Sequence, residues 1–183
     1  MPACYRACPM TSPAIITRSV TPEDADAIGA LHARVFGPGR FARTAYRVRE
    51  GTAFASPFCR LAEADGRVIA SLRLTAVTVG GQRGALLLGP LAVDPAFANQ
   101  GYGRRLVAES FALAADAGYR IVLLVGDLAY YGRMSFVATA PGQIRLPGPA
   151  DPARILAHEL EPGALAAFTG IIAPDMSGAP LAA

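Results

Sequence analysis

The chain has 183 residues, of which 52% are hydrophobic, and its formal net charge is +3 at pH 7. This length suits one domain with a sizeable core, and no apolar run approaches the length of a membrane span, so we expect a soluble globular protein. All 17 basic residues are arginine and lie scattered along the chain, a balance that fits an anionic ligand and does not by itself imply nucleic acid.

The first third of the chain predicts a tail, a strand and two helices. Residues 1–13 lack periodicity and are expected to form a loose tail, and the β-rich Ala14–Val20 predicts the first strand. Thr21, followed by proline and two acids, is typical of a helix start, and helical spacing continues to Phe36. Phe41–Glu50 predicts a second helix. Its arginines are interpreted as a solvated basic face in preference to a ligand contact: Arg40, Arg43, Arg47 and Arg49.

An antiparallel meander of three strands is predicted next. The strands are Phe58–Ala64, Arg67–Val79 and Gln82–Asp94, and Asp65-Gly66 forms a two-residue hairpin turn between the first two. Gly89-Pro90 interrupts the third strand. Because proline has no N–H to donate to a ladder, this dipeptide predicts a bulge or a splayed neighbour.

A parallel βαβ unit follows the meander. A helix with one apolar face begins after two glycines and ends near Gly118, and the continuous apolar run Ile121–Val125 predicts a strand buried on both faces. The domain is expected to span 14–173, with a flexible tail over 174–183. Its remaining elements are a short helix or turn, two strand regions and a helix or strand: Asp127–Met134, Phe136–Leu146, Arg154–Leu160 and Ala164–Ile172.

The junction between strand and helix, with Gly101 and Gly103, predicts an anion site. The first N–H groups of a helix lack internal partners, and the helix dipole is positive there, so a phosphate is the expected guest. A P-loop is excluded because the chain has no lysine. A dinucleotide fold is disfavoured, because Leu106 occupies the third glycine position and the meander does not belong to that fold.

Two segments resemble the GNAT superfamily of N-acetyltransferases. Leu91-Ala-Val-Asp-Pro-x-Phe followed by Asn99-Gln-Gly-Tyr-Gly-Arg-Arg-Leu resembles its acetyl-coenzyme A motif. Gly126-Asp-Leu-Ala-Tyr-Tyr-Gly-Arg-Met-Ser-Phe resembles the next motif, as it reads in one bacterial branch. The resemblance spans about Ile15 to Leu160. It implies a mixed α/β fold with a mainly antiparallel sheet, a central parallel βαβ unit and splayed strands.

The resemblance also implies a way of holding acetyl-coenzyme A as cosubstrate, with no metal. Backbone N–H groups of the glycine loop are expected to bind the pyrophosphate, and the strand opened after Gly89-Pro90 is expected to pair with the pantetheine amides. Tyr131 matches the family's usual general acid, a phenol that protonates the leaving thiolate. The predicted coenzyme-binding residues are Leu91, Ala92, Val93, Asn99, Gln100, Gly101, Tyr102, Gly103 and Arg104, with Arg105 as a further possible contact.

Two positions depart from the family's pattern, and no general base is assigned. Ala98 stands where Gln or Arg usually opens the loop, and Ser135 stands where a glycine precedes the final Phe. Three residues have a suitable chemistry for a base, although each has a simpler structural role as a core histidine, an ion-pair partner or a helix cap: His32, Glu50 and Asp127.

The remaining titratable residues point to no metal or disulfide. With three cysteines and no C-x-x-C pair, we expect neither a disulfide framework nor a zinc site, and we place the protein in the reducing cytoplasm. Cys59 is interpreted as a small buried hydrophobe. His158 is the second histidine, and Cys4 and Cys8 are the other two cysteines.

The function predicted is transfer of acetyl from acetyl-coenzyme A to a primary amine of a small molecule or peptide, by direct attack. The alternatives are a coenzyme A-binding sensor or regulatory module without catalysis and a nucleotide-binding protein. Neither nucleic acid nor membrane is expected as a partner, and edge strands near the C-terminus leave a homodimer possible. The acceptor itself has no motif in the chain.

Overall fold

The computed structural model describes residues 14–37, 44–177 and Leu181, without the side chains of Thr44 and Tyr46. The predicted tail over 1–13 and the arginines Arg40 and Arg43 lie outside these residues. The strands of the described part are β1 (Ile15–Ser19), β2 (Arg60–Ala64), β3 (Arg67–Val79), β4 (Gln82–Val93), β5 (Ile121–Val125), β6 (Val137–Ala138), β7 (Ile144–Arg145), β8 (Ile155–Glu159) and β9 (Gly170–Pro174). The helices are α1 (Ala25–Phe36), α2 (Thr44–Arg47), α3 (Tyr102–Asp116) and α4 (Leu128–Tyr131).

The sheet is mixed and mainly antiparallel, as predicted. Its main path runs β1-β2-β3-β4-β5-β8-β6, and β9 pairs with both β3 and β7. Strands β4 and β5 pair in parallel and α3 connects them along the chain, which confirms the βαβ unit. Strands β1 to β4 pair antiparallel. Asp65 and Gly66 both have positive φ, as a tight hairpin turn of this kind requires.

The core occupies both faces of the central strands. Along β5, Val122 and Leu124 pack on the side of α3, whereas Ile121 and Leu123 pack with the C-terminal elements around Phe168. All four strand residues are at most 2% exposed, which confirms the prediction of a strand buried on both faces. Helix α1 closes a third cluster against β2 and β3 through Ile28 and Leu31.

Two predicted segments differ in the structure. Phe136–Leu146 is not one strand, because β6 pairs with β8 whereas β7 pairs with β9, and a turn at Gly142 separates them. A flexible tail does not begin at Pro174, since this residue ends β9 opposite Val77 and the next carboxylate, Asp175, accepts a hydrogen bond from Arg83 at 2.8 Å. Local pattern carries no information on such distant partners.

The described helices include none that is both long and apolar enough to cross a membrane.

Arg18 and Asp24 tie β1 to the start of α1 through a paired contact. Both Arg18 terminal nitrogens donate to the Asp24 carboxylate at 2.7 Å, and the Thr21 backbone N–H donates to it at 2.8 Å. The hydrogen bonds from Arg18 lower the pKa of Asp24 from 3.8 to about 2. A carboxyl with a depressed pKa stabilises the fold above its unfolded pKa, and this contribution is lost as the pH falls through the folded value.

The variant Asp24→Asn is therefore expected to lose about 2 kcal/mol of unfolding free energy at pH 7. The difference from wild type should shrink as the pH falls from about 4 to about 2, because Asp24 is then protonated in both states. Denaturant unfolding at a series of pH values measures this difference. A loss that stays constant across that window would contradict the prediction.

Candidate active site

The parallel strands β4 and β5 separate part of the way along their length. Their pairing runs from Ala85 opposite Ile121 to Leu87 opposite Leu123 and ends there. Beyond this point a cavity of about 560 Å³ lies between them. The two strands line it with Leu88, Gly89, Pro90 and Leu91 on one side and Leu124 and Val125 on the other.

The predicted irregularity at Gly89-Pro90 is a bulge at the mouth of this separation. The register with β3 passes from Leu72 opposite Leu91 to Leu74 opposite Leu88, so two residues of β4 face one of β3. Gly89 has φ +120°, a backbone conformation that side chains with a Cβ rarely adopt. The pairing with β5 has ended by Leu87 and does not resume after the bulge, which confirms the predicted splay.

Arg49 packs against the bulge and is not part of a solvated basic face. The residue is only 7% exposed, and its guanidinium donates to the carbonyl oxygens of Ala45 at 2.9 Å and Leu88 at 3.2 Å. A Cβ on Gly89 would lie 3.2 Å from Nη2 of Arg49. The prediction for this arginine was wrong, because helical spacing alone does not show that the chain folds over it.

The residues Leu91, Ala92 and Val93 have one paired edge and one open edge. They pair with Leu72, Ser71 and Ala70 of β3 respectively, and the β5 ladder has already ended. Within the described residues no strand covers their second edge. An extended chain with amide groups therefore has a place to add at this edge.

Helix α3 begins directly beside this open edge. A Cβ on Gly103 would lie 3.3 Å from the Val93 side chain and 3.7 Å from that of Leu91, so the first turn packs closely on β4. Asp94, at the end of β4, accepts hydrogen bonds from Ala96 N at 3.1 Å and Arg67 at 2.6 Å. The hydrogen bond from Ala96 is the main cause that lowers the pKa of Asp94. This carboxylate holds the chain where it leaves the strand.

The loop before α3 presents backbone N–H groups outward. Asn99 and Gly101 have φ +60° and +86°, and the first helical hydrogen bond runs from Arg105 N to Gly101 O. The N–H groups of Tyr102, Gly103 and Arg104 precede that bond and lack an acceptor within the helix. Such a row of donors at a helix dipole suits a pyrophosphate.

The side chains of this loop differ in their availability. Gln100 and Arg104 are exposed, whereas Tyr102 is half-buried with its ring 6.3 Å from that of Phe97. Arg105 forms an ion pair with Glu109 at 3.0 Å, one turn along the helix. Of Arg104 and Arg105, Arg104 is therefore the one whose guanidinium is available to bind a phosphate.

Tyr131 lies on the wall of the cavity where β4 and β5 separate. It is half-buried, and its ring packs 5.7 Å from that of Phe136. The neighbouring Tyr130 is 49% exposed and does not belong to the cavity lining. Asp127 caps the short helix α4 by accepting from Ala129 N at 2.9 Å, so the cap fixes the turn that carries both tyrosines.

Gly126 allows the Tyr131 ring to occupy this place. A Cβ on Gly126 would lie 2.5 Å from Cε2 of Tyr131 and 2.8 Å from Cδ1 of Leu124. Gly126→Ala is therefore expected to displace the ring and, for the acetyltransferase activity that the sequence resemblance implies, to lower kcat about tenfold with little change in the KM for acetyl-coenzyme A. Steady-state kinetics measure both constants. An unchanged kcat would show that the position of this ring is not important for turnover.

The three candidate bases lie outside the described lining of the Tyr131 cavity. Asp127 acts as the helix cap, as its structural interpretation predicted. His32 and Glu50 line a second cavity, of about 360 Å³, which adjoins the first at Arg49 and Pro90. His32 Nε2 lies 3.0 Å from Oγ of Ser71. The described residues contain no group of three His, Cys, Asp or Glu side chains that could hold a metal ion.

The two departures from the family pattern occupy surface positions. Ala98 is exposed, and its backbone N–H donates to Pro95 O at 3.2 Å. Ser135 has φ +60°, a left-handed conformation for which glycine is the default residue, and it ends the turn after α4. The serine therefore adopts the backbone shape that a glycine would have there. Cys59 is 2% exposed, as predicted for a small buried hydrophobe.

Comparison with known proteins identifies one family. The acetyltransferase (GNAT) family matches residues 26–136. The chain is 30% identical over 159 residues to the uncharacterised N-acetyltransferase YhbS of Escherichia coli K12, and this covers 86% of the chain and 95% of YhbS.

Solved structures give the same result. The structure of YhbS from Escherichia coli in complex with CoA has a TM-score of 0.76 at 29% identity, and covers 92% of this chain and 93% of that one. A GNAT family acetyltransferase from Brucella melitensis, in complex with acetyl-CoA, has a TM-score of 0.59 at 30% identity and covers 79% and 96%. The similarity thus extends over most of the chain in both sequence and fold.

Proposed function

Because this chain belongs to the GNAT family of acetyltransferases, we propose that it transfers acetyl to a primary amine by direct attack in the cavity between β4 and β5. The enzyme is an acetyl-coenzyme A-dependent N-acetyltransferase. The observation that carries the proposed site is the position of Tyr131 on the wall of the cavity that opens where the two strands separate.

The residues present fit acetyl-coenzyme A at two places. The N–H groups between Asn99 and Arg104 bind the pyrophosphate, with the left-handed Gly101 turning them to one side. The open edge of Leu91–Val93 pairs with the pantetheine amides as an added strand would. Since Gly103 packs this edge against the loop, the two contacts lie side by side and direct the thioester into the cavity.

Tyr131 acts as the general acid in this proposal. The amine nitrogen attacks the thioester carbonyl carbon, the tetrahedral intermediate collapses, and the C–S bond breaks. The phenol of Tyr131 donates its proton to the sulfur as the thiolate leaves. A phenol with an ordinary pKa of about 10 is protonated at neutral pH and matches a thiol leaving group better than a carboxyl does.

Water is the proposed acceptor for the proton of the amine. His32 and Glu50 line the second cavity and Asp127 is engaged as a cap, so none of the three lines the cavity that contains Tyr131. Solvent reaches the first cavity past the exposed side chains of Arg47 and Arg154 at its rim. A base of this kind needs no further side chain.

A library of amines, followed by free thiol release and by mass spectrometry of the product, tests the proposed function. We expect at least one primary amine to gain about 42 Da, the mass of an acetyl group less the hydrogen that it replaces, in a reaction that consumes one acetyl-coenzyme A per product. A protein that binds acetyl-coenzyme A but acetylates no amine, peptide N-terminus or lysine side chain in such a library would contradict the proposal.

A further inference from the structure

We propose that the acceptor is a small primary amine that also carries an oxyanion group, a carboxylate or a phosphate. This inference rests on the proposed function, because it takes the cavity beside Tyr131 as the place where the amine binds. It names a property of the acceptor on which the family resemblance is silent. The charges around the cavity, and the contacts that engage each of them, indicate this acceptor.

Arginines dominate the charged lining of this cavity. Arg47, Arg49 and Arg154 contribute guanidinium groups, and Asp151 is the carboxylate among the described lining residues. One oxygen of Asp151 already accepts a hydrogen bond from Ala153 N at 3.0 Å, where it caps the turn Pro152–Arg154. The lining therefore has a surplus of positive charge.

The two exposed arginines at the rim have no carboxylate partner, unlike seven other arginines of the described part. Seven arginines of the described part have a carboxylate within ion-pairing distance: Arg18, Arg34, Arg60, Arg67, Arg83, Arg105 and Arg120. Within the described part, Arg47 and Arg154 have no such ion pair, and both are exposed at the rim, where Arg154 Nε donates to Gly126 O at 3.4 Å. Their planar donors suit two-point binding of a carboxylate or phosphate from a ligand.

Arg49 makes the positive charge of the cavity permanent. Its guanidinium is buried beside the β4 bulge and is held by two backbone carbonyl oxygens, so it cannot swing out to solvent as a surface arginine does. A fixed cation in a sheltered site interacts more strongly with ligand charges than an exposed one. It repels an amine that carries only an ammonium charge and attracts one that also carries an anion.

This charge arrangement also fits the chemistry of the attack. The nucleophile must be the neutral amine, and neighbouring cations favour that form by lowering the pKa of an ammonium group. An anionic group on the same molecule supplies the attraction that the neutral amine lacks. The volume of about 560 Å³ is in the range of pockets for small ligands, which favours a small molecule over a long peptide.

Matched pairs of amines test the charge preference directly. Calorimetric titration of the CoA-saturated protein should show about tenfold tighter binding of β-alanine than of β-alaninamide, or of 2-aminoethyl phosphate than of ethanolamine. The two pairs separate a carboxylate from a phosphate preference. Equal or weaker binding of both anionic amines, including no binding by either, would overturn the inference.

Variants at the rim connect the preference to the arginines. Arg47→Gln and Arg154→Gln should each weaken binding of the preferred anionic amine about tenfold and leave its neutral partner and acetyl-coenzyme A unaffected. Arg145→Gln, an exposed arginine outside the lining, is the matched control and should change neither. Equal weakening of anionic and neutral amines by the rim variants would contradict the assignment.

The outcomes distinguish this inference from the proposed function. Acetylation of neutral amines in preference to anionic ones would overturn the inference and leave the acetyltransferase proposal intact. Tight binding of an anionic amine to the CoA-saturated protein, with no acetylation of any amine in the library, would support the charge preference and contradict the proposed reaction.

Discussion

Tyr131→Phe is expected to lower kcat about 100-fold or more, because it removes the proton donor for the leaving thiolate and keeps the ring. The ring packs against Phe136 and beneath it lies Gly126, contacts that a phenylalanine preserves. The Kd for acetyl-coenzyme A and the unfolding free energy should therefore stay close to wild type. Stopped-flow or steady-state assays of thiol release measure kcat, and equilibrium binding measures the Kd for acetyl-coenzyme A.

The neighbouring tyrosine supplies the control for this variant. Tyr130 carries the same group on the same short helix, but it is 49% exposed and does not line the cavity. Tyr130→Phe should keep kcat within about twofold of wild type. Equal losses in the two variants, or an active Tyr131→Phe enzyme, would show that the proton comes from elsewhere.

Gly101→Val is expected to weaken acetyl-coenzyme A binding about tenfold or more. Gly101 has φ +86° and ψ −3° at the N-cap of α3, and a β-branched residue cannot adopt this conformation without strain. The backbone must then rotate and redirect the N–H groups that meet the pyrophosphate. Loss of one hydrogen bond to a charged group is worth about 1.5–3 kcal/mol, which corresponds to about 10- to 100-fold in Kd.

Gly163 is a matched control with nearly the same backbone. It has φ +81° and ψ −1° at the N-cap of the turn Ala164–Ala167, on a different part of the surface. Gly163→Val should lower the unfolding free energy by about 1–2 kcal/mol, a loss similar to that in Gly101→Val, and should leave coenzyme binding unchanged. If both variants bind acetyl-coenzyme A equally well, the loop before α3 does not hold the pyrophosphate.

Local chemistry made much of the fold, and of the backbone geometry around the candidate coenzyme site, predictable. The limits of β3 and β5 follow from β-rich and apolar runs bounded by turn residues, and both agree with the structure. The bulge at Gly89-Pro90 was predictable because proline cannot donate to the ladder. Gly101 and Gly103 likewise act through local backbone properties, a positive φ and a close approach to β4 respectively.

Features that depend on distant contacts were not predictable in this way. Arg49 lies in a basic stretch that is typical of a solvent-exposed surface. It is nevertheless buried, and it donates a hydrogen bond to the carbonyl oxygen of Leu88, 39 residues away. The separate strands β6 and β7 depend on pairing with β8 and β9, which come later in the chain. The cavity beside Tyr131 combines residues from five separate segments, so no single stretch carries its charge pattern.

A structure of the protein with acetyl-coenzyme A bound tests the central claim most directly. We expect the pyrophosphate against the N–H groups of Asn99–Arg104, the pantetheine along Leu91–Val93, and the thioester sulfur within hydrogen-bonding distance of the Tyr131 hydroxyl. A coenzyme whose sulfur lies away from Tyr131, or whose pantetheine leaves the open edge of β4 uncovered, would contradict the claim that the separated strands direct the thioester to this tyrosine.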